Sequence, residues 1–466
     1  MAIYNLELAT FKQTFEVSEA DKLAYGEIYT PFTLIQQMLD LFDPTVFTQP
    51  EKRWLDIGAG RGYFSMALFE RLNQGLTMTW PDENKRKQHI VEKMLFMVEV
   101  KASNVSALRE MFGPQANIQA GDFLLEEGST DVDSYDYIIG NPPYNTNGLK
   151  KVPTNTARNK KKDGTTAWMH FVIKSLVLLR PTTGQLALII PSIWLKPDKA
   201  GMHTLLTRYQ IEKMHCLTNT ETNTLFKGKA QTPTCYFLLT KRDTDRQIGL
   251  YDTYQQRYVS FSHQLGQPLP VFGAAIVQKL QPWISRAGGC TLPVLKTNMP
   301  PIKSKFTEVP YLPSFPYMNI KSCVLAGLQP ELYINYSESP QAFQGVKKLV
   351  LAHKMYGFPY YDKQGTYGIS NRDNYVITGK TEAEFLQLEA FFSTKFALYI
   401  FEATRYRMKY LEKYAFQLLP DITKLSGFPA AANINDASVA DFFGLDEADQ
   451  QHIKSLHRRD YKRFLC

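Results

Sequence analysis

The segment DYIIGNPPYNTNG, residues 136–148, ends an apolar run with an amide, two prolines and a phenol. Proline cannot donate to a strand ladder, so the strand must stop here in a stiff turn. An exocyclic amine on a nucleobase is a poor nucleophile, and two acceptors for its hydrogens would activate it. The Asn141 side chain and the Pro142 backbone carbonyl can supply these acceptors. Pro143 then fixes the direction of that carbonyl, and Tyr144 can stack on the base.

A glycine-rich turn stands upstream, in RWLDIGAGRGYFSMAL, residues 53–68. The spacing of its glycines is G-x-G-x-G, whereas a dinucleotide-binding fold has G-x-G-x-x-G. Glycines between a strand and a helix let the backbone approach a ligand closely. Asp56, just before the loop, suits a cationic amine and would repel a pyrophosphate. The pattern therefore favours S-adenosylmethionine over NAD, and a purely structural turn is the alternative.

Two acids further along the chain fit the same ligand. Glu99 ends the strand pattern MLFMVEV, where a carboxylate can accept both ribose hydroxyls. Asp122 can accept from an adenine amine, with Phe123 packing on the ring face. Asp82, in the polar insertion TMTWPDENKRKQHIVEK, is a rival for the ribose role. Glu99 is preferred because MLFMVEV is the better strand.

These residues need a scaffold, and the first half of the chain alternates strand and helix patterns. A helix is predicted over residues 31–42, with Thr30 as N-cap and Pro31 as its first residue. Further helix patterns and strand patterns alternate up to about residue 243. Such alternation predicts an α/β fold, a Rossmann-like, doubly wound, mostly parallel sheet. Ligands of such sheets bind beyond the carboxyl ends of the strands.

Composition sets the broad class. The 466 residues carry a formal net charge of +8, with 44% hydrophobic and 21% charged residues, which is ordinary for a globular protein. We expect domains at 1–245, 246–425 and 426–466, the last a basic helical tail. The five scattered cysteines argue against a disulfide framework or a metal site. No signal peptide or membrane span is apparent, so we expect a cytoplasmic protein with no membrane partner.

The order of three motifs resembles a known family. GEIYTPFT at 26–33 precedes LDIGAGRG, NPPY follows, and about 300 residues come after it. This resembles the gamma-class N6-adenine DNA methyltransferases of the Taq-type and Eco57I-like group. The resemblance implies methyl transfer from S-adenosylmethionine to adenine N6 of a base flipped out of duplex DNA. It also implies the methyltransferase fold and a C-terminal α+β target-recognition domain.

The resemblance further implies roles for matching positions. The cofactor-binding set is Tyr29, Thr30 and Pro31 at the methionine end, Asp56, Gly58 and Gly60 at the amino acid portion, Glu99 at the ribose, Asp122 and Phe123 at the adenine, and Asn141. Phe226 would sandwich the flipped base, with Tyr236 as second choice and ordinary core packing as the alternative.

Other candidates for DNA contact are basic or aromatic. The segment after the catalytic turn contains Lys150, Lys151, Arg158, Lys160, Lys161 and Lys162, which could close on phosphate or form a solvated surface loop. In the C-terminal half the candidates are His353, Lys354, Tyr356, Tyr360, Arg405 and Lys409. The last two are predicted to share one helical face.

Several functions stay open at this point. The turn also occurs in enzymes that methylate protein glutamine or ribosomal RNA guanine, and RNA adenine is a related acceptor. A different class is a non-catalytic DNA-recognition subunit. Duplex DNA is the expected partner, with a cognate restriction endonuclease as a second one in a restriction-modification system. A monomer and a dimer are both compatible with the sequence.

Overall fold

The structure is a computed structural model that describes residues 28–125, 132–146, 165–197, 200–228, 230, 232–289, 292–297, 304–326, 329–353, 358–406 and 411–456. The chain divides into two compact units. Unit 1 contains residues 1–251 and 258–266, and unit 2 contains residues 252–257 and 267–466. This division differs from the expected boundaries at 245 and 425.

Unit 1 is built on one nine-stranded sheet. Its strands are β1 Trp54–Ile57, β2 Leu95–Glu99, β3 Asn117–Ala120, β4 Tyr137–Gly140, β7 Gln185–Pro191, β8 Tyr209–Leu217, β9 Thr234–Asp243, β10 Gln247–Asp252 and β11 Arg257–Ser262, while β5 Asn145–Thr146 and β6 Thr165–Thr166 form a separate ribbon. The order across the sheet is β11-β10-β8-β9-β7-β4-β1-β2-β3. The strands from β3 to β7 pair in parallel, and β9 runs antiparallel to both β7 and β8. The predicted α/β, mostly parallel, Rossmann-like sheet is confirmed.

The helices of unit 1 follow the predicted alternation. They are α1 Phe32–Leu39, α2 Tyr63–Gly75, α3 Glu83–His89, α4 Ala102–Phe112, α5 Trp168–Leu178, α6 Met202–Arg208 and α7 Asn219–Leu225. Short 3₁₀ turns cover Pro44–Thr48 and Ser192–Leu195, and a π-helical turn covers Ile90–Met94. The apolar faces of α1 and α2 are buried in one core with the sheet. Burial of these stripes, rather than intrinsic propensity, supplies most of the stability of such helices.

The start of α1 differs from the prediction. Pro31, not Thr30, is the N-cap, and no side chain caps the helix. The Thr30 hydroxyl is engaged elsewhere, because it accepts a hydrogen bond from Asn141. Asp82, in contrast, caps α3 by accepting the Lys85 N–H at 3.0 Å.

The strand order creates a switch point between β1 and β4. From β1 the chain proceeds to β2 and β3 on one side, then returns to place β4 on the other side of β1. The two crossovers therefore leave the sheet in opposite directions, and a crevice opens beyond the carboxyl ends of β1 and β4. The glycine loop follows β1 and the Asn-Pro-Pro-Tyr turn follows β4, so this topology brings both motifs to one crevice.

Unit 2 is an α+β arrangement with two four-stranded sheets. One has the order β12-β19-β16-β17 and the other β13-β15-β14-β18. The strands are β12 Leu295–Lys296, β13 Phe306–Thr307, β14 Tyr317–Ala326, β15 Gln329–Ser337, β16 Lys348–Ala352, β17 Pro359–Asp362, β18 Gly368–Ile369 and β19 Asn374–Ile377. The helices are α8 Ala274–Arg286, α9 Glu382–Phe392, α10 Lys395–Ala403, α11 Asp436–Phe443 and α12 Glu447–Lys454, with 3₁₀ turns at Lys413–Leu418, Ile422–Lys424 and Ala431–Asn433.

Two expectations for the C-terminal half require correction. Helix α10 ends at Ala403, so Arg405 does not lie on a helical face and instead pairs with Glu402 at 3.0 Å. Residues 426–456 are not a separate tail, because the Phe396 ring of α10 stacks on Phe443 of α11, with centroids 5.3 Å apart. Helix α12 packs on α10 as well, through the rings of His452 and Tyr399.

Candidate active site

A cavity, here called the glycine-loop cavity, lies at the switch point of unit 1. Its lining comes from the ends of β1, β2, β3 and β4 and from residues 28–30. It is formed by Ile28, Tyr29, Thr30, Gly58, Ala59, Gly60, Arg61, Tyr63, Phe64, Val98, Glu99, Val100, Lys101, Asn104, Gly121, Asp122, Phe123, Asn141, Pro143 and Phe171. Most of the residues predicted to hold a cofactor meet here, although their sequence separations reach more than 100 residues.

The glycine loop shapes one wall of this cavity. Gly58, Gly60 and Gly62 all have positive φ angles, of 130°, 55° and 90°, a region that other residues rarely adopt. A Cβ atom on Gly62 would meet the Leu108 side chain at 2.9 Å, so this glycine permits helix packing. A Cβ atom on Gly58 or Gly60 would meet no protein atom within 4 Å. These two glycines leave open space on the side where a ligand would approach.

The Glu99 carboxylate is held in place at the carboxyl end of β2. Its Oε2 atom accepts the Gly60 N–H at 2.7 Å, and its Oε1 atom accepts the Lys101 N–H at 2.8 Å. Each carboxylate oxygen can accept a second hydrogen bond. On Oε1 a second donor is already present, because the Asn104 amide donates to it at 3.4 Å, and Glu99 lines the cavity where a hydroxyl-bearing ligand would reach it. Its rival Asp82 is used as the cap of α3 and does not line the cavity.

Asp122 and Phe123 form the wall beyond β3. The Asp122 Oδ1 atom accepts the Leu124 N–H at 2.9 Å, which fixes the turn. The Phe123 ring stacks on Phe171 of α5, with centroids 5.1 Å apart and an interplanar angle of 25°. Both rings line the cavity, and the Lys174 ammonium lies 5.1 Å from the Phe123 centroid. The pair offers aromatic surface to a flat ring.

Asp56 and Pro31 do not line the cavity. The Asp56 side chain is fully buried, its Oδ2 atom accepts the Ser65 hydroxyl at 2.7 Å, and its Oδ1 atom has no partner among the described residues. Burial raises the pKa of this carboxyl to about 7, and the nearby Glu99 charge acts in the same direction. A nearby cation would stabilise the ionised form.

Asn141 follows β4 directly and faces the cavity. Its Nδ2 atom donates to the Thr30 hydroxyl at 3.0 Å. Its Oδ1 atom is buried and has no hydrogen-bond partner among the described residues. A buried acceptor without a partner is costly, and such groups concentrate where a ligand completes the site. The amide therefore presents an acceptor to whatever enters.

A second pocket, here called the small pocket, adjoins the same turn. It is lined by Ile28, Asn141, Pro142, Tyr144, Phe226 and Ala230. Phe226, predicted to cover a flipped base, thus lies at this pocket beside Tyr144. The Tyr144 hydroxyl is buried without a described partner, and burial raises the pKa of this phenol. Tyr236 lines neither the glycine-loop cavity nor the small pocket, and its hydroxyl is instead hydrogen-bonded to His215 Nδ1 at 2.6 Å.

The residues on either side of the basic segment are paired with each other beside the turn. Strands β5 and β6 pair antiparallel, and the Ala167 N–H donates to the Tyr144 carbonyl at 3.1 Å. Thr146 and Thr165, which flank the 18-residue segment 147–164, are thereby paired two residues or fewer from Tyr144 and Ala167. Lys150, Lys151, Lys160 and Lys161 themselves lie outside the described residues, as do Lys354, Tyr356 and Lys409.

The C-terminal candidates for DNA contact that the structure describes do not lie in unit 1. His353 follows β16, and its ring contacts Tyr375 with centroids 5.5 Å apart. Tyr360 lies in β17 and packs on Phe358 and Tyr367. His353, Tyr360 and Arg405 all belong to unit 2.

Sequence reasoning missed several residues of the cavity wall. Phe171 lies in α5, for which the sequence predicted a helix but no ligand contact. In the sequence, only its stacking partner Phe123 indicated an aromatic wall for the ligand. Tyr63 packs against Tyr29, with ring centroids 5.5 Å apart. Lys101 and Arg61 also line the cavity. Among the described residues, no cluster of His, Cys, Asp and Glu could hold a metal ion, and no helix could cross a membrane.

Comparison with known proteins agrees with this geometry. Residues 30–222 match the model of the Eco57I restriction-modification methylase family. An uncharacterized adenine-specific methylase of Mycoplasma pneumoniae is 41% identical over 81 residues, which are 17% of this chain and 19% of that protein. The matched part of the chain thus spans about a fifth of the length of this curated relative.

Solved structures also resemble the chain in part. The methyltransferase subunit of a type I restriction-modification system from Streptococcus thermophilus is 18% identical, with a TM-score of 0.35, over 50% of this chain and 49% of that one. The type IIL restriction-modification enzyme MmeI, in complex with DNA, is 10% identical, with a TM-score of 0.49, over 86% of this chain and 68% of that one.

Proposed function

We propose that the protein transfers the methyl group of S-adenosylmethionine to adenine N6 in duplex DNA, a proposal supported by the match of residues 30–222 to the Eco57I restriction-modification methylase family. The observation that carries the proposal is the Asn141 amide. Its buried Oδ1 atom has no described partner, and the residue lines both the glycine-loop cavity and the small pocket. An acceptor between two ligand spaces is what the activation of an exocyclic amine requires.

The glycine-loop cavity fits the proposed cofactor. Gly58 and Gly60 leave room for close backbone approach, and Glu99 offers a fixed carboxylate for the ribose hydroxyls. Asp122 and Phe123 suit the amine and the face of an adenine. Tyr29 and Thr30 would contact the methionine end of the cofactor. Asp56 lies buried behind the loop, and a cationic amine nearby would favour the ionised form of its carboxyl group. When bound, the cofactor supplies an electrophilic methyl group.

The chain's own residues would prepare the acceptor. Asn141 Oδ1 and the Pro142 carbonyl accept the two hydrogens of the target amine and draw its lone pair out of conjugation with the ring. Tyr144 and Phe226 hold the base by stacking. Held by these residues, the amine nitrogen would accept the methyl group, the cofactor would be left as the thioether, and one N6 proton would pass to solvent. Positioning of this in-line displacement supplies much of the rate.

Duplex DNA is the proposed partner. A base inside the duplex cannot reach the small pocket, so the target adenine must be flipped out, at a cost of a few kcal/mol. Segment 147–164 closely follows the Asn-Pro-Pro-Tyr turn and carries six basic residues. Contacts of these residues with DNA phosphates could offset the cost of base flipping. We assign site recognition to unit 2 and methyl transfer to unit 1. A cognate restriction endonuclease fits the family but is not required by the chemistry.

The test is to incubate unmethylated DNA with the protein and cofactor labelled in its methyl group, then to digest and separate the nucleosides. We expect label in N6-methyladenine. Label in N4-methylcytosine, in RNA or only in protein would contradict the adenine assignment and support the rival acceptors. The absence of any label would favour a non-catalytic recognition subunit.

The Asn141→Ala variant tests the assigned role. Loss of an acceptor for the reacting amine should lower the single-turnover rate by at least about 100-fold. Cofactor affinity, measured by calorimetry, should stay within about threefold. Asn84→Ala, at an exposed position of α3, is the matched control and should retain full activity. A large loss of cofactor affinity in Asn141→Ala would contradict the acceptor role.

A further inference from the structure

The hydrogen bond between Thr30 and Asn141 joins two rigid parts of unit 1. The Thr30 Oγ1 atom lies 3.0 Å from Asn141 Nδ2, and the two residues are 111 positions apart in sequence. Thr30 is only 6% exposed. Its hydroxyl is not used as a helix cap, although its place before α1 predicts that use. This contact therefore needs another explanation.

The amide of Asn141 has two chemically different ends. The target amine presents two hydrogens, so only the carbonyl end of the amide can receive it. When Oδ1 faces the amine, the Nδ2 group must turn inward. The Thr30 hydroxyl accepts from this Nδ2 group, so its removal would take away a hydrogen bond that holds that orientation. The reversed amide would direct its own hydrogens at those of the amine and could not activate it.

The Thr30 hydroxyl accepts from Nδ2 in the structure, which leaves Oδ1 toward the amine, and its neighbours hold this hydroxyl in place. The carbonyl of the next residue, Pro31, accepts the N–H groups of Leu34 and Ile35 at 3.0 and 3.1 Å. Those two side chains are buried in the core of unit 1. On the other side, Asn141 is fixed by β4, which pairs in parallel with both β1 and β7. The hydrogen bond thus spans two elements that packing already holds in place.

We propose that Thr30 is a positioning residue for methyl transfer, which acts by orienting the Asn141 amide so that Oδ1 faces the acceptor amine. This inference rests on the proposed function. It gives Thr30 a role in the rate of the chemical step, distinct from contact with the methionine end of the cofactor. Thr30 itself touches no reacting atom in this scheme.

Three variants test the proposal. Thr30→Val keeps the shape and removes the hydroxyl, Thr30→Ser keeps the hydroxyl, and Thr33→Val makes the same change at an exposed position of α1. Each is compared with the wild type in single-turnover methylation of plasmid DNA from a host without adenine methylation, at saturating cofactor. We expect Thr30→Val to be slower by roughly 10- to 100-fold, because the Asn141 Nδ2 donor loses the acceptor that orients the amide. Thr30→Ser and Thr33→Val should stay within about threefold.

The affinity for the cofactor shows whether the Thr30 hydroxyl positions Asn141 or binds the cofactor itself. Titration calorimetry with S-adenosylmethionine should give dissociation constants within about threefold for the wild type and Thr30→Val. A tenfold weaker cofactor affinity with an unchanged saturated rate would overturn the proposal, because the Thr30 hydroxyl would then serve cofactor binding and not the chemical step. An unchanged rate and affinity would overturn it as well. If Thr30→Val does not fold, as judged by thermal melting, Thr30→Ala replaces it.

The outcome also separates this inference from the function on which it rests. A wild type that labels adenine, together with an equally fast Thr30→Val, contradicts only the positioning role. A wild type that labels no adenine contradicts the proposed function and the positioning role together.

Discussion

At the scale of single residues, the site combines fixed groups with groups that have no partner. Glu99 and Thr30 are held by hydrogen bonds at 2.7 and 3.0 Å, whereas Asn141 Oδ1 and Asp56 Oδ1 have no described partner. Fixed acceptors lower the reorganisation needed on binding. The two unsatisfied oxygens mark where an amine hydrogen and a cation would be most stabilising.

The buried carboxyl of Asp56 leads to a prediction about stability and pH. Burial raises its pKa from 3.8 to about 7 in the folded protein. Between these values the folded state binds a proton that the unfolded state has lost, so the stability contributed by Asp56 decreases as pH rises from 4 to 7. The fully developed loss corresponds to roughly 4 kcal/mol. Asp56→Asn, which cannot ionise, should therefore gain stability relative to the wild type as pH increases.

Thermal melting without ligand checks this prediction. The difference in melting temperature between Asp56→Asn and the wild type should grow from pH 5 to pH 7 and be constant above it. Asp441→Asn, at an exposed position of α11, is the control and should show a flat difference. A difference that shrinks with rising pH would mean that Asp56 is stabilised as an anion in the free protein.

At the scale of secondary-structure elements, the glycine loop and the Asn-Pro-Pro-Tyr turn each follow the end of a strand, where the chain must change direction sharply. Gly140 is the last residue of β4 and has a φ angle of 152°. A Cβ atom there would lie 3.1 Å from Ile57 Cγ1 on the neighbouring strand. The glycine thus allows β4 to end close to β1 and directs Asn141 into the crevice.

Replacement of Gly140 by alanine should affect both stability and chemistry. The strained backbone and the close contact should together destabilise the protein by about 1–3 kcal/mol. The same shift should displace Asn141 and slow single-turnover methylation at least tenfold. Gly427→Ala is the matched control, because Gly427 is exposed and also has a positive φ angle, of 80°, but a Cβ atom there would meet nothing within 4 Å. Urea unfolding and the single-turnover assay measure the two effects.

Several elements could be predicted from the sequence because their signals are local. The strands before the glycine loop and before Asn-Pro-Pro-Tyr are apolar runs stopped by glycine or proline, and both predictions are confirmed. The predictions that Thr30 caps α1 and that Arg405 lies on a helical face are wrong. Local pattern cannot show that the Thr30 hydroxyl meets a partner 111 residues away, or that a helix ends before a residue whose guanidinium pairs with Glu402.

The site shows the same division between local and long-range information. Strand patterns predicted that Glu99 ends a strand and that Asn141 follows one, and both residues line the glycine-loop cavity. The full burial of Asp56 depends on neighbouring strands and on Ser65, and it could not be predicted from the glycine loop alone. Phe171 was missed because its ring faces the cavity only through the packing of α5 on Phe123.

At the scale of the whole molecule, charge and chain organisation determine how DNA would be bound. The net charge of +8 is modest, but segment 147–164 concentrates six basic residues against one acid. The β5–β6 ribbon pairs the residues that flank this segment, and it directly follows Tyr144, which lines the small pocket. Salt-sensitive binding should therefore depend on this segment more than on basic residues elsewhere in unit 1.

Paired lysine variants test this distribution. Lys160→Ala with Lys161→Ala should reduce the slope of log affinity against log salt by about 1 to 2, since each phosphate contact contributes roughly 0.9. Lys85→Ala with Lys93→Ala removes the same charge from exposed positions near α3 and should leave the slope almost unchanged. Fluorescence anisotropy with a labelled duplex at several salt concentrations gives the slopes. Equal slopes for the two pairs would contradict a special role for the segment.

The shared wall between the glycine-loop cavity and the small pocket has a consequence for the order of kinetic events. Ile28 and Asn141 line both spaces, so the two ligands would meet across this wall without competing for one volume. Both can then be bound at once, and no methylated enzyme intermediate is needed. Initial-rate plots at varied cofactor and DNA should give intersecting rather than parallel lines. Demethylated cofactor could also leave while DNA stays bound, which would allow successive sites on one duplex to be modified in a single encounter.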